Sequence, residues 1–551
     1  MNSVTVSFPD GSRRDVPHDT PLSELLSDET EDPTNPVVAA VVNNEVLDLS
    51  RRVRINGSIR PVRLASDAGI RCYRQSLCFL LSMATRSFYN GRRLVIGHSL
   101  GHGYYYYFDD NEEVDSGDLQ KLSGEMRKLV EEDLPIRRRL IAYDDAIALF
   151  EAAGMSDTVA LLEHRNSSRV TIHECGSFSD ISHGPLVPST ALLKHFELTP
   201  LSPGFVLRFP PRRAPTTIAK YRHSPLLFSI YQEYKQWGKI LGVTSAGTLN
   251  RKSRDGTIGE FIRINEALHD RKIAAIAGQI ADRKEVRAVL VAGPSSSGKT
   301  TFAKRLALQL QAQGITPLPL SADDYFVSRD RTPLDEEGNP DFESIHALDI
   351  ELLNQHLLDL CAGKPVEIPS FNFRSGSRRR SGKRLTMGEH SILLMEGIHC
   401  LNDALTPRIS ADTKFKVYVS ALTQLNLDDH NRIPTTDNRL LRRLVRDHKY
   451  RGHSALDTLG MWPSVRRGEE RNIFPYQDTA DAAFNSALDY EVAILKKHAE
   501  PLLQIVKPHH EVYDEAVRML SFLADFANIP DKPVPGFSIL REFIGDSGFH
   551  Y

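Results

Sequence analysis

Residues Gly293 to Thr300 read Gly-Pro-Ser-Ser-Ser-Gly-Lys-Thr, an uninterrupted GxxxxGK[ST] pattern set between an apolar run and an amphipathic segment. The run before it, Val286 to Ala292, has the length and apolar character of a buried parallel strand. Behind it, Phe302, Leu306 and Leu310 recur every four residues and draw one apolar stripe on a helix. A strand, a glycine turn and a helix N-terminus aim backbone N–H groups at one anion. The loop Gly293, Pro294, Ser295, Ser296, Ser297, Gly298, Lys299, Thr300 and Thr301 is therefore the candidate nucleotide-phosphate site of an α/β layer. Lys299 would place a point charge on the β/γ-phosphates and Thr300 a hydroxyl on Mg²⁺. A plain Gly/Ser/Lys turn ahead of a helix is the alternative, and the flanking strand and helix weigh against it.

At 551 residues the chain exceeds one core, so several domains are expected. Its 68 basic and 71 acidic residues leave a net charge of −3, which gives no global pull toward nucleic acid or membrane. The start, MNSVTVSFPDG, has neither a basic n-region nor an apolar h-region, and no apolar run reaches the length of a membrane span. Cys72, Cys78, Cys175, Cys361 and Cys400 are odd in number and form no CxxC pair, which argues against a disulfide framework or a cysteine zinc site. These features fit a cytoplasmic chain.

The first residues alternate as a small sheet would: Val4 to Phe8, a Pro-Asp-Gly turn, and a return strand ending at Val16. Asp19 or Thr20 could cap a short helix over Leu22 to Leu26, and Asn43-Asn44 joins the runs Val37 to Val42 and Val46 to Leu49. Over residues 1–65 this α+β order resembles the TGS domain, a β-grasp module found at the front of threonyl-tRNA synthetases. Residues 66–212 resemble the editing-type second domain of threonyl- and alanyl-tRNA synthetases. That likeness is carried by the HxxxH pair His98 and His102 and by Gly184 to Thr190 leading into Leu192 to Phe196. In that family a later CxxxH completes the quartet. Here those positions hold Ser182 and Leu186, and leucine has no lone pair, so a degenerate, catalytically silent domain is expected. Two histidines four apart can share a helical face, and His173, Cys175 and His183 are an improvised metal-site alternative. Residues 213–284 form a helical connector, with Tyr221 to Leu241 and Ile262 to Ile280 as helices and a break at Gly256 to Gly259.

After the first helix of the C-terminal region, Pro317 to Ser321 forms a second strand. It ends in Ala322-Asp323-Asp324-Tyr325-Phe326, an acid pair where open α/β sheets place their chemistry. Further segments follow in order: Ile368 to Phe373, the strand Ile392 to Met395 ending at Glu396-Gly397, and Arg442 to Asp447. In this order the motifs resemble the uridine/cytidine kinases of the phosphoribulokinase/uridine kinase family. With the front modules, the arrangement resembles the fused uridine kinases. Residues 285–551 are then a P-loop uridine kinase-like domain, a parallel sheet with flanking helices and a C-terminal helical extension.

The resemblance implies an ATP- and Mg²⁺-dependent nucleoside kinase. Asp323 is its general base in preference to Asp324, Glu396 joins Thr300 at the metal, and Arg446 and Arg451 are lid arginines acting with Lys299. Tyr325, Phe326, Glu343, His346, Phe371 and Phe373 would line the acceptor. Phe326 replaces a tyrosine common at that point, His346 falls where an acid usually holds the sugar hydroxyls, and Gly376 falls where a base-reading histidine is usual. Ribose grip could shift to Glu343. Arg466 and Arg467 could approach the phosphates, and Glu511 to Phe526 is an amphipathic closing helix with Val512, Ala516, Met519, Leu520 and Leu523 on one face. A nucleoside partner, a homo-oligomer and no membrane association are expected. Two other readings stand beside this one: a P-loop kinase of another small acceptor, such as a sugar phosphate or vitamin precursor, and a tRNA-associated ATP-sensing regulator.

Overall fold

Alternating apolar residues build the first sheet. The computed structural model describes residues 3–550 apart from 28–31, 90, 111, 336, 337, 339, 373 and 374. In the strand Ser3–Ser7, Val4 and Val6 turn inward while Ser3 and Thr5 face solvent. Five strands run in the order Arg13–Pro17, Ser3–Ser7, Gly57–Arg63, Val37–Val42, Glu45–Leu47. The Ser3–Ser7/Gly57–Arg63 pair is parallel and the other pairs antiparallel. Asn43 and Asn44 both take positive φ, as a two-residue hairpin turn requires. The short helix covers Leu22–Leu25, and its cap differs from expectation: Pro21 holds the N-cap position without a side-chain bond. Thr20–Pro21 instead pairs with Arg52–Val53, so sheet pairing takes the residues expected to cap.

The helix Asp67–Phe88, capped by Ser66, leads to a four-stranded antiparallel sheet ordered Glu197–Leu201, Gly204–Arg208, Gly103–Phe108, Leu94–Ser99. His98 lies on the Leu94–Ser99 strand and His102 in the turn after it, so the HxxxH pair does not share a helical face. A three-stranded sheet, Arg137–Ala142, Arg169–Cys175 and Phe178–Asp180, carries His173 and Cys175. Three helices connect this region to the next: Pro225–Leu241, Ala246–Arg254 and Ile258–Asp282. Pro225 at the first turn starts the first of them later than Tyr221, and the last already includes Gly259, so the break is shorter than the sequence suggested.

The C-terminal sheet is wholly parallel, in the order Thr316–Ser321, Ser391–Glu396, Ala288–Ala292, Lys414–Ser420, Ala482–Asn485. All five residues of Ala288–Ala292 are buried, as a central strand covered on both faces demands, and Val286 lies outside the strand. Phe302, Leu306 and Leu310 of helix Lys299–Gln311 enter the same core as Ile273 and Ala277 of the last connector helix. The closing helix is Tyr513–Leu523, shorter than the amphipathic run; Ala516, Met519 and Leu523 are buried and Val512 precedes it. It also touches the first sheet, where Val46 N donates to Asp514 Oδ1 at 3.0 Å, and the helix that starts at Asp67, whose Arg71 reaches Glu515 at 3.1 Å. The loop after Lys414–Ser420 docks on the Leu94–Ser99 strand: Arg93 grips Asp429 at 2.6 and 2.7 Å, and Asn426 Nδ2 donates to Ile96 O at 2.7 Å. Among the described residues no helix is long and apolar enough to cross a membrane, and all five cysteines are free.

Candidate active site

Three parallel strand ends and one helix N-terminus converge on the Gly293–Thr300 loop. A Cβ at Gly293 would lie 1.9 Å from Val419 O, so only glycine lets the loop leave its strand this close to the neighbouring one. Gly298 (φ +83°) and Ser296 (φ +59°) take left-handed conformations that fold the loop back to the helix. Gly293→Ala is expected to destabilise the chain by about 1–3 kcal/mol through overpacking. Urea unfolding checks it; an unchanged midpoint would show that the loop is not held against Val419.

Glu396, the last residue of the Ser391–Glu396 strand, accepts from Ser321 Oγ at 3.1 Å and from Thr300 Oγ1 at 3.5 Å. Asp323 stands on the next strand's exit, in the 3-10 turn Ala322–Tyr325. Burial pushes Glu396 up to about 7; the charge of Asp323 acts in the same direction and Lys299 against it. Burial also raises Asp323, while Lys299, Arg451 and Arg446 draw it back down. Two interacting carboxylates beside two hydroxyls form a hard-oxygen donor set short of positive charge, which suits Mg²⁺. Asp324 is engaged elsewhere: its Oδ1 accepts from Phe371 N at 3.2 Å and anchors the Val366–Asn372 strand. The acid pair is thus divided between site and scaffold.

A raised carboxylate pKa sets the sign of a pH effect. Glu396 holds its proton in the folded chain up to about 7, whereas an unfolded glutamate releases it near ~4.3. The cation-free protein therefore loses this contribution to stability as pH rises from about 4.3 through 7. Mg²⁺ is expected to raise the melting temperature more at pH 8 than at pH 5.5, with Glu396→Gln levelling the difference. Equal Mg²⁺ shifts at both pH values in the wild type would remove Glu396 from the cation site.

The arginines form a second cluster. Helix Thr435–Arg446 runs into the turn Asp447–Arg451, and Arg443, Arg446 and Arg451 approach the buried Asp447 at 3.1, 3.0 and 3.7 Å. Repulsion from Arg446, with burial second, depresses Arg451 to about 10. Three guanidiniums on one carboxylate leave positive charge for a further anion. The same helix braces the loop: Arg443 Nη1 donates to Ser295 Oγ at 2.8 Å, Arg439 Nε to Ser295 O at 2.9 Å and Arg442 Nη1 to Ser296 O at 3.3 Å.

The acceptor candidates are distributed unevenly. Glu343 packs against Gly468, where a Cβ would come within 2.4 Å of its own, and its buried Oε2 lacks a hydrogen-bond partner. Burial, and then the charge of Glu469, push it up to about 7. His346 is exposed. The rings of Phe326 and Phe371 lie 5.5 Å apart. Tyr325 departs from expectation, being fully buried with its hydroxyl 3.0 Å from His356 Nδ1, so it serves the scaffold. Phe373 lies outside the described residues. Arg466 pairs with Glu470 at 3.6 Å on helix Ala455–Asn472.

Two loop partners carried no sequence signal. Ser295 N donates to Glu469 Oε1 at 3.0 Å, and Glu469 is itself paired with Arg439 in the core. Thr301 donates from N at 3.1 Å and from Oγ1 at 2.6 Å to Glu542 Oε2, near the C-terminal end of the chain. A nearby carboxylate is the ordinary partner of a helix N-terminus. Here both acids reach across the chain from beyond residue 460.

Residues 288–493 match the phosphoribulokinase/uridine kinase family model, so the C-terminal part carries a domain of that family. The N-terminal region is homologous to threonine–tRNA ligases. The ligase from Carboxydothermus hydrogenoformans is 31% identical over 196 residues, 35% of this chain and 31% of the relative. That from Thermotoga maritima is 32% identical over 202 residues, 36% of this chain and 31% of the relative. The chain thus spans under a third of the length of these curated relatives. Among solved structures, a possible uridine kinase from Bacillus stearothermophilus aligns at 20% identity with a TM-score of 0.25, over 36% of this chain and 89% of that one. The C-terminal domain has the P-loop kinase fold, able to phosphorylate a small acceptor from ATP.

Proposed function

We propose that this chain transfers the γ-phosphoryl group of ATP to a hydroxyl of a small acceptor, with the 5′-hydroxyl of uridine or cytidine as the first candidate. The carrying observation is the approach of Asp323 and Glu396 at adjacent strand ends beside Lys299 and Thr300. Phosphoryl transfer needs positioning and charge neutralisation more than covalent help, and this set of residues offers both.

In this reading the loop N–H groups and Lys299 hold the donor phosphates. Mg²⁺, held by Thr300 and Glu396, would neutralise phosphate charge when bound. Asp323 accepts the proton of the acceptor hydroxyl as its oxygen attacks phosphorus. Arg446 and Arg451 take up the charge spreading over the transferring oxygens. Glu343, with its unpartnered oxygen, is placed to hold acceptor hydroxyls, and Phe371 with Phe326 offers an apolar face to a ring.

A second reading keeps the chemistry and changes the acceptor. In the Val366–Asn372/Ser377–Leu385 hairpin, Phe371, Ser370 and Pro369 pair with Arg378, Arg379 and Arg380. A basic strand along the acceptor edge favours an acceptor with its own anion, such as a sugar phosphate. A labelled-ATP screen over uridine, cytidine and a set of sugar phosphates separates the two. Transfer to a nucleoside supports the first, transfer only to phosphorylated acceptors the second, and transfer to neither class removes both.

Glu542 sharpens the donor side. A nucleotide phosphate that takes the Thr301 N–H must displace its carboxylate, so Glu542→Ala is expected to tighten ATP binding roughly 3- to 10-fold. Titration calorimetry with Mg-ATP reads this directly; weaker binding in the variant would make Glu542 a support of the site and not a competitor.

A further inference from the structure

A cavity of about 100 Å³ lies where the loop after Lys414–Ser420 meets the N-terminal half. Tyr104, Ser182 and His183 from the N-terminal half line it together with Arg432, Arg518 and Phe522 from the C-terminal half. Most of the charges around it are matched. His430 Nδ1 lies 2.6 Å from Asp180 Oδ2. Arg518 reaches Asp437 at 2.6 and 2.9 Å and Glu515 at 2.6 and 3.0 Å.

Arg432 is different. Among the described residues no carboxylate comes within ion-pair distance of it; it stacks over the Tyr104 ring at 4.9 Å, and its buried Nε–H has no acceptor. A buried guanidinium N–H left without an acceptor is costly, which calls for an anion or a well-held acceptor in the cavity.

His183 has the opposite need. Its Nδ1 lies 3.3 Å from Asp525 Oδ2, which favours the proton on that nitrogen. Burial holds the ring's pKa below the usual histidine range, so the ring is neutral and Nε2 is a buried lone pair with no donor facing it. The lining thus offers a donor for an anion at Arg432 and an acceptor for an O–H or N–H at His183. Phe79, Ile96, Leu427 and Phe522 supply apolar surface to the same cavity.

We infer that this cavity binds a small hydroxy acid or amino acid, with its carboxylate on Arg432 and its hydroxyl or ammonium on His183 Nε2. The volume sets the size. A cavity of about 150 Å³ holds the ring carbons of benzene, so this one, at about 100 Å³, admits a smaller ligand of roughly four or five non-hydrogen atoms. Arg432 falls within residues 288–493, so the anion-binding side chain belongs to the kinase-family part of the chain and not to the ligase-like part. The inference is independent of the kinase reading.

Titration calorimetry on the full chain tests it with glycolate and glycine, the smallest hydroxy acid and amino acid. Acetate lacks the donor group and ethanolamine lacks the carboxylate. The expected result is binding of glycolate or of glycine, with acetate and ethanolamine at least tenfold weaker. Glycolate binding without glycine assigns a hydroxy acid, and the reverse an amino acid. Arg432→Gln is expected to weaken binding at least tenfold and Arg432→Lys less. Ser182→Leu, which adds bulk at the cavity lining, is expected to abolish binding, with circular dichroism confirming that each variant is folded. No heat from glycolate or glycine at millimolar concentration overturns the inference, as does binding that acetate matches or that folded Arg432→Gln and Ser182→Leu retain.

Discussion

Asp323→Asn is expected to lower the rate of phosphoryl transfer by ~10²–10⁴-fold while leaving Mg-ATP affinity nearly unchanged. The side chain keeps its shape and loses only its capacity to take a proton. Two further readouts separate a base from a structural acid. In the wild type the acidic limb of the rate profile should lie above the ordinary aspartate range, because burial raises Asp323 and its working form is the carboxylate. Stability should move the other way from activity. Removing the charge relieves repulsion on Glu396, so the cation-free variant is expected to melt higher than the wild type at pH 8. A rate loss below tenfold, or a variant that melts lower, would take Asp323 out of the role of base.

What the sequence made legible followed from locality. The strand, loop and helix around Gly293–Thr300 are set by residues within a few positions of one another, so the motif and the four-residue apolar spacing located them. The placement of acids at strand ends was also legible, because a parallel sheet puts every carboxyl end on the same edge. Contacts over long separations were not. Glu469 is 174 residues from Ser295 and Glu542 is 241 from Thr301, and neither stands in a pattern that announces its partner. Spacing was also ambiguous where two periods agree. His98 and His102 suit one helical face, but the Leu94–Ser99 strand pairs with Gly103–Phe108, and the hairpin took both histidines out of any helix. Tyr325 shows the limit of adjacency: it follows the acid pair in sequence, yet the 3-10 turn directs it into the core toward His356.

Arg442, the first residue of the Arg442 to Asp447 motif, governs the loop from within the core. It is fully buried on helix Thr435–Arg446. Its Nε and Nη2 donate to Glu491 Oε2 at 2.8 and 2.6 Å, Nη2 also reaches Ser486 O at 2.7 Å, and Nη1 reaches Ser296 O at 3.3 Å and Ser486 Oγ at 3.2 Å. The Phe543 ring lies 5.1 Å from its guanidinium carbon. Every nitrogen is therefore occupied, and one of them holds the phosphate loop. Arg442→Met leaves the Glu491 carboxylate buried without its cation, which is expected to cost about 3–5 kcal/mol. If the C-terminal region unfolds as one unit, that lowers its melting temperature by roughly 6–20 °C. Arg442→Lys is expected to recover little, because an ammonium cannot reproduce a planar fork spanning Glu491, Ser486 and Ser296. Pairing Arg442→Met with Glu491→Leu should restore part of the stability by removing the stranded charge, but not the ATP affinity, since the Ser296 carbonyl stays unbraced. Calorimetric melts of the three variants beside Mg-ATP titrations separate these effects. A single Arg442→Met variant that loses less than about 1 kcal/mol would mean that water replaces the guanidinium, and the loop would then need another brace.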